Sequence, residues 1–297
     1  MGYTFEEAGI SEDVIKLSDF ISNYIHKKGK TPKTYTITKK EIPDDINLPI
    51  NTLIITYDDN KEKRARGWVD LTRSKRFKSG NVEIRMTVRT LKKSVLYHEV
   101  NHILQFINLG RSGMIKKGKL SFAKSHSDKF NDEKIKTFLY LLYRSDNNEI
   151  SSNVIQFYGQ LKGLMKKNIK ELKTRRKGLT DEIIQVWKDR YFDNTLPDRE
   201  IYKMSKVLEK INLTKFFDGV DKNELNKLFS LVSSIDNGTL KHKRRNLYQF
   251  YKNMPLELKI NKLTDKQLND EMNKYQTMMN ERGKKMTSRI EKVKYLL

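Results

Sequence analysis

In the stretch VLYHEVNHIL, residues 95–104, His98 and His102 stand four apart and Glu99 directly follows the first. On an α-helix, positions i and i+4 lie about 40° apart around the axis and one turn along, so both imidazoles can be aimed at one ion. Zinc requires that convergence, at roughly 2.0–2.1 Å per nitrogen. Glu99 is rotated about 100° from His98. That keeps it out of the ligand pair but beside a metal-activated water, where a carboxylate can take a proton as the water attacks a peptide carbonyl. The plain alternative is an ordinary helix that happens to carry two histidines. With five histidines in 297 residues, the chance expectation of H-E-x-x-H is ~0.005. The neighbouring Val95, Leu96, Val100, Asn101, Ile103 and Leu104 are all uncharged, as expected of a helix sandwiched between a sheet and a second helical layer.

Composition limits what else such a site can contain. Cysteine is absent, so disulfides and thiolate metal sites are excluded, and His, Asp, Glu or backbone oxygen must hold any metal. The length suffices for a substantial core, and the recurrence of aromatic among aliphatic residues argues against wholesale disorder. Sixty Lys and Arg against thirty-seven Asp and Glu give a net charge of +23, which draws a protein toward nucleic acid, anionic membrane or acidic protein. No window approaches the ~18 uninterrupted apolar residues of a spanning helix. The start, MGYTFEEAGISEDVIKL, is acidic without an apolar run, so no signal peptide is expected. The expected location is the cytoplasm or the inside of a larger particle such as a virion.

The elements that must position the motif follow from periodicity. Residues 11–27 carry Val14, Ile15, Leu17, Ile21 and Ile25 mostly at helical spacing. Four strand-like runs follow: TYTIT (34–38), TLIITYD (52–58), RGWVDLT (66–72) and NVEIRMT (81–87). Residues 90–109 then turn helical, with Gly110 as a stop. A polar loop leads to the helical patterns IKTFLYLLY and NNEISSNVIQFYGQLKGLMKK. Beyond Lys177 the pattern is almost all helical, with breaks near residues 194–198, 236–238 and 253–257. The expected fold class is α+β, a small sheet with the motif helices followed by a mainly α-helical C-terminal region. The expected domains are residues 1–175 and a basic helical 176–297.

VLYHEVNHIL resembles the active-site helix of the zincin metallopeptidases, and the order helix, strands, HEVNH helix, further helices is similar to theirs over residues 10–175. The resemblance implies a sheet whose edge strand holds an extended protein or peptide substrate, a zinc ion on His98 and His102, and Glu99 as general base. Metzincins continue as H-E-x-x-H-x-x-G-x-x-H, but Gln105 and Asn108 occupy the glycine and last histidine positions, which excludes that branch. Gluzincins take a Glu from a later helix in an N-E-x-x-S-D-like context, whose acid orients a ligand histidine. Residues 148–153, NEISSN, are similar. Glu149 is thereby the implied third ligand and Asn153 an uncharged stand-in for the acid. His126, Asp128 and Asp132 are competing ligands in the intervening loop. Oxyanion stabilisation in this superfamily often falls to Tyr or His. Tyr140 lies nine residues before Glu149, similar to a gluzincin tyrosine, with Tyr143, Tyr158 and His242 as alternatives and a buried structural role the commoner one for Tyr. His26 carries no motif and reads as structural.

The clusters KTRRKG (173–178) and KHKRRN (241–246), the second followed by Tyr248, Phe250 and Tyr251, combine charge and rings in a way that suits nucleic acid. A solvated face is the plainer reading of each. No zinc finger, helix-turn-helix fingerprint or RNP motif is present, so base-specific recognition is not expected. From Thr264 onward Leu268, Met272, Tyr275, Met279, Met286, Ile290, Val293 and Leu297 mark a long amphipathic helix that packs within the chain or against a partner. Two functions follow: a zinc metallopeptidase, or a structural or packaging protein, for example a phage-particle component near nucleic acid, that keeps a zincin fold with weak or no catalysis.

Overall fold

β-branched and aromatic residues in alternation build a five-stranded mixed sheet. The computed structural model describes residues 3–297 apart from 30, 32, 59–66, 71–72, 176–179 and 238–262. Helix α1 (Glu12–Lys28) precedes strands β1 (Lys33–Thr38), β2 (Ile50–Tyr57), β3 (Gly67–Val69), β4 (Lys75–Arg76) and β5 (Val82–Val88). The order is β1-β2-β5-β3, with β4 also on β5. β1 is antiparallel to β2, β2 parallel to β5, and β3 and β4 antiparallel to β5. Four of the strands match the expected runs; the two-residue β4 is too short to leave a periodic signal.

The helices are α2 (Lys93–Lys117), α3 (Glu133–Arg144), α4 (Asn147–Arg175), α5 (Asp181–Thr195), α6 (Glu200–Lys210), α7 (Leu213–Phe216), α8 (Lys222–Asn237) and α9 (Asp265–Val293). Gly110 breaks α2 with φ 63° and ψ 176°, a backbone that only glycine adopts readily. The expected stop is therefore a kink, after which helix resumes. The expected polar loop of residues 110–132 is also largely helical, with a 3₁₀ stretch at Lys119–Lys129. Burial of Met114, Leu120, Ala123 and Phe130 explains it, since packing overrides a polar local sequence.

The chain divides into two interleaved compact units, residues 1–114, 151–201 and 288–297 in one, 115–150 and 202–287 in the other. Neither ends at residue 175, because distant segments return to complete each. In the first, the buried set is Val14, Leu17, Ile21 and Ile25 of α1, Leu53 and Ile55 of β2, Ile84 and Met86 of β5, and Leu96, Val100 and Ile103 of α2. Tyr97 reaches Asp19 of α1 at 3.4 Å, and Lys93 pairs with the same carboxylate at 2.8 Å. In the second, Phe138, Phe217, Phe229 and Tyr275 form a ring cluster with centroids 5.3–6.1 Å apart. There α9 crosses α6 so closely that a Cβ on Gly283 would lie 2.2 Å from the Glu209 backbone nitrogen. Seven of the apolar positions expected along the final helix, Leu268 to Val293, are buried. They pack within the chain. No described helix is long and apolar enough to cross a membrane.

Candidate metal centre

Helix α2 starts soon after β5, so residues 98–102 fall in its second and third turns, with the histidines on one face. Their Nε2 atoms face each other 3.3 Å apart. Two nitrogens bound at roughly 2.0–2.1 Å to one tetrahedral ion stand about 3.3–3.4 Å apart. Glu149, in the first turn of α4, completes the group: one ligand atom from each of His98, His102 and Glu149 lies within 4.8 Å of the others. Glu149 is buried and His102 half-buried.

The His102 ring is held by Gln105, whose Oε1 lies 2.8 Å from Nδ1 while its Nε2 donates to Ser151 Oγ at 2.9 Å. That amide orientation makes Nδ1 the hydrogen-bond donor and leaves the Nε2 lone pair aimed at His98. Two ring nitrogens facing at this distance require a proton or a cation between them, and the His, His, carboxylate donor set fits zinc. Asn101 ties α2 to α4 beside them, donating to Ser151 Oγ at 3.1 Å and Ser152 Oγ at 2.9 Å. The two helices approach closely because of Gly159, where a Cβ would lie 2.7 Å from Tyr97 Cδ2 and 2.9 Å from Ser94 Cα.

Glu149 is fixed through the start of its helix. Asp146 caps α4, its Oδ1 accepting from the Asn148 N–H at 3.0 Å and its carbonyl from Ile150 at 2.9 Å. Arg282 donates to the preceding Ser145 carbonyl at 3.3 Å. Burial holds its guanidinium below the ordinary value, and the Asp146 carboxylate opposes that shift. Lys124, though exposed overall, is held low by partial desolvation of its ammonium and by neighbouring Arg144, against the pull of Glu149. It stands over the Tyr143 ring at 4.2 Å.

Glu99 is half-buried beside the ligand pair in sequence. The edge strand passes directly against it: a Cβ on Gly67 would lie 3.0 Å from Glu99 Cγ.

Among the residues expected at the site, His98, His102 and Glu149 are brought together and Asn153 does not serve as expected. Asn153 is fully buried, yet neither amide atom has a hydrogen-bond partner. The ring it was expected to orient is left to others, and Gln105 takes that role for His102. The sequence motif marks position 105 only by the absence of the metzincin glycine, so the role of Gln105 beside His102 is not foreseen from it. Its i+3 spacing from His102 was the available signal. Tyr140 is exposed on α3, its ring beneath Lys124 and Arg144 at 5.2 and 5.8 Å, and no hydrogen bond joins it to the three ligands among the described residues. Of the competing ligands, Asp132 caps α3, Asp128 is exposed and His126 is fully buried. The cluster KHKRRN and the rings after it, with His242, lie outside the described residues, as do residues 176–178 of KTRRKG.

No family model, no curated protein and no solved structure matches this chain.

Proposed function

We propose that this protein is a zinc-dependent metallopeptidase in which His98, His102 and Glu149 hold the ion and Glu99 is the general base. The observation that carries the reading is the 3.3 Å approach of the two Nε2 atoms, with Glu149 in the same group. Zinc bound there would supply Lewis acidity, polarising the scissile carbonyl and acidifying the attacking water. Glu99 accepts the proton from that water and passes it to the departing amine nitrogen. Gln105 keeps His102 in the tautomer whose Nε2 can ligate. β3, at the end of the sheet order and against Glu99, offers main-chain groups to which an extended peptide can pair.

The test compares the wild-type protein with Glu99→Gln, whose amide keeps the shape but cannot take the proton. Both should carry about one zinc by mass spectrometry, and only the wild type should cleave a broad peptide library. Zinc far below stoichiometry after metal-replete expression overturns the reading, and equal cleavage by both removes Glu99 from it. Zinc without cleavage in either would favour the structural or packaging role. The position of Tyr140, exposed and not hydrogen-bonded to the ligands, is the one observation on that side.

A further inference from the structure

The second half of α4 carries Lys162, Lys166, Lys170 and Lys173 at steps of four, four and three. That spacing keeps them within about 80° around the axis, in a row about 16 Å long. All four are exposed. Residues 162–175, KGLMKKNIKELKTR, contain six basic residues and one acidic, Glu171, which pairs with Lys167 off the row. None of the four makes an ion pair among the described residues; Lys162 only covers the Tyr158 ring at 5.4 Å. Some lysines elsewhere are matched with carboxylates, as Lys16 with Asp45, Lys93 with Asp19, Lys136 with Glu133 and Lys222 with Asp265. Like charges one turn apart destabilise a helix, so this row carries a repulsion that an external anion would relieve. A shallow, open hollow on the same helix face is lined by Lys166, Ile169, Lys170, Lys173 and Thr174 among the described residues.

The geometry points to this face as a binding surface for the phosphodiester backbone of double-stranded nucleic acid, read without regard to sequence. A strand of duplex presents a phosphate about every 3.4 Å along its axis, so the row faces about five. Among the described residues the lining of the hollow has no aromatic ring to stack a base and no carboxamide to read one, which leaves phosphate contact as its chemistry. A membrane surface is disfavoured because a helix lying in lipid needs bulky apolar residues on the binding side, and among the described lining residues Ile169 is the one apolar side chain. The inference does not depend on zinc or on cleavage.

The test measures binding of the full chain to a 30-base-pair duplex of random sequence as salt is varied. The variant replaces all four row lysines by Gln, which keeps helix propensity. The control carries Lys16, Lys136, Lys222 and Lys227→Gln, the same charge loss at lysines that sit in ion pairs. Circular dichroism confirms that both are folded. The row variant should bind at least ~10-fold more weakly at 0.1 M salt, with the slope of log K on log salt reduced by about 3–4, while the control stays near wild type. Equal weakening in variant and control overturns the inference, because net charge would then suffice. A row variant that keeps its duplex affinity but loses binding to phosphatidylserine vesicles or polyglutamate also overturns it.

Discussion

Replacing Gln105 by Ala removes the 2.8 Å contact with His102 Nδ1 while touching neither ligand nor base. Ser151 keeps its bond from Asn101 at 3.1 Å, so the link between α2 and α4 survives. What is lost is the nearer of two groups on Nδ1, since Ser152 Oγ stays 3.5 Å from it. Partners of this kind typically control 10–100-fold of metal affinity, or about 1.4–2.7 kcal/mol. The geometry places Gln105 well inside that range, because the donated Nδ1–H is what leaves Nε2 free to ligate. Gln105→Glu should keep or raise the affinity, since a carboxylate accepts the same N–H with charge assistance. The assay is competition for zinc against a chromophoric chelator, with stoichiometry checked by mass spectrometry. A Gln105→Ala protein that holds zinc within twofold of wild type would refute the reasoning and leave His102 oriented by something else.

Arg282→Met should weaken zinc binding by about tenfold, because the Ser145 carbonyl and Asp146 lose the cation that braces the start of α4. Arg282→Lys should restore part of the loss, and chelator competition reads both. Gly159→Val should destabilise the chain by about 1–3 kcal/mol through overpacking against Tyr97 and Ser94, seen as a lower thermal midpoint; an unchanged midpoint would mean that α2 and α4 are not in close contact there. Asn153→Leu should raise stability to urea by about 1–3 kcal/mol, since it removes two buried amide atoms that lack partners. Zinc affinity should not change, and a collapse in affinity would return Asn153 to the site.

The three residues that the structure brings together were legible because each rests on short-range information. The i, i+4 spacing of His98 and His102 survives any tertiary arrangement of their helix, and NEISSN at the start of the next long helical pattern marks Glu149. The strands were legible from alternation, except for β4. What the sequence hid depends on contacts between distant residues. Asn101 and Ser152, fifty-one apart, meet at 2.9 Å, and the close approach at Gly159 is invisible until its helix lies against Tyr97. The polar run after Gly110 reads as loop because its few apolar residues gain burial only once the rest of its unit surrounds them. The boundary at residue 175 followed a change in composition, whereas the compact units follow returning segments.

Gly67 separates two kinds of selection. Its backbone is not in the left-handed region, so an alanine there is limited by its neighbours and not by backbone strain. Among the described residues the nearest atoms to a Cβ there are Glu99 Cγ at 3.0 Å and the Thr87 carbonyl at 3.3 Å. In a mutational scan scored for soluble expression, small residues at position 67 should therefore pass. Scored for peptide cleavage, the same residues should fail, because the carboxylate must swing aside to admit even one methyl group. A lineage that had kept the fold and abandoned catalysis would be free to drift at this position first, before any metal ligand changed.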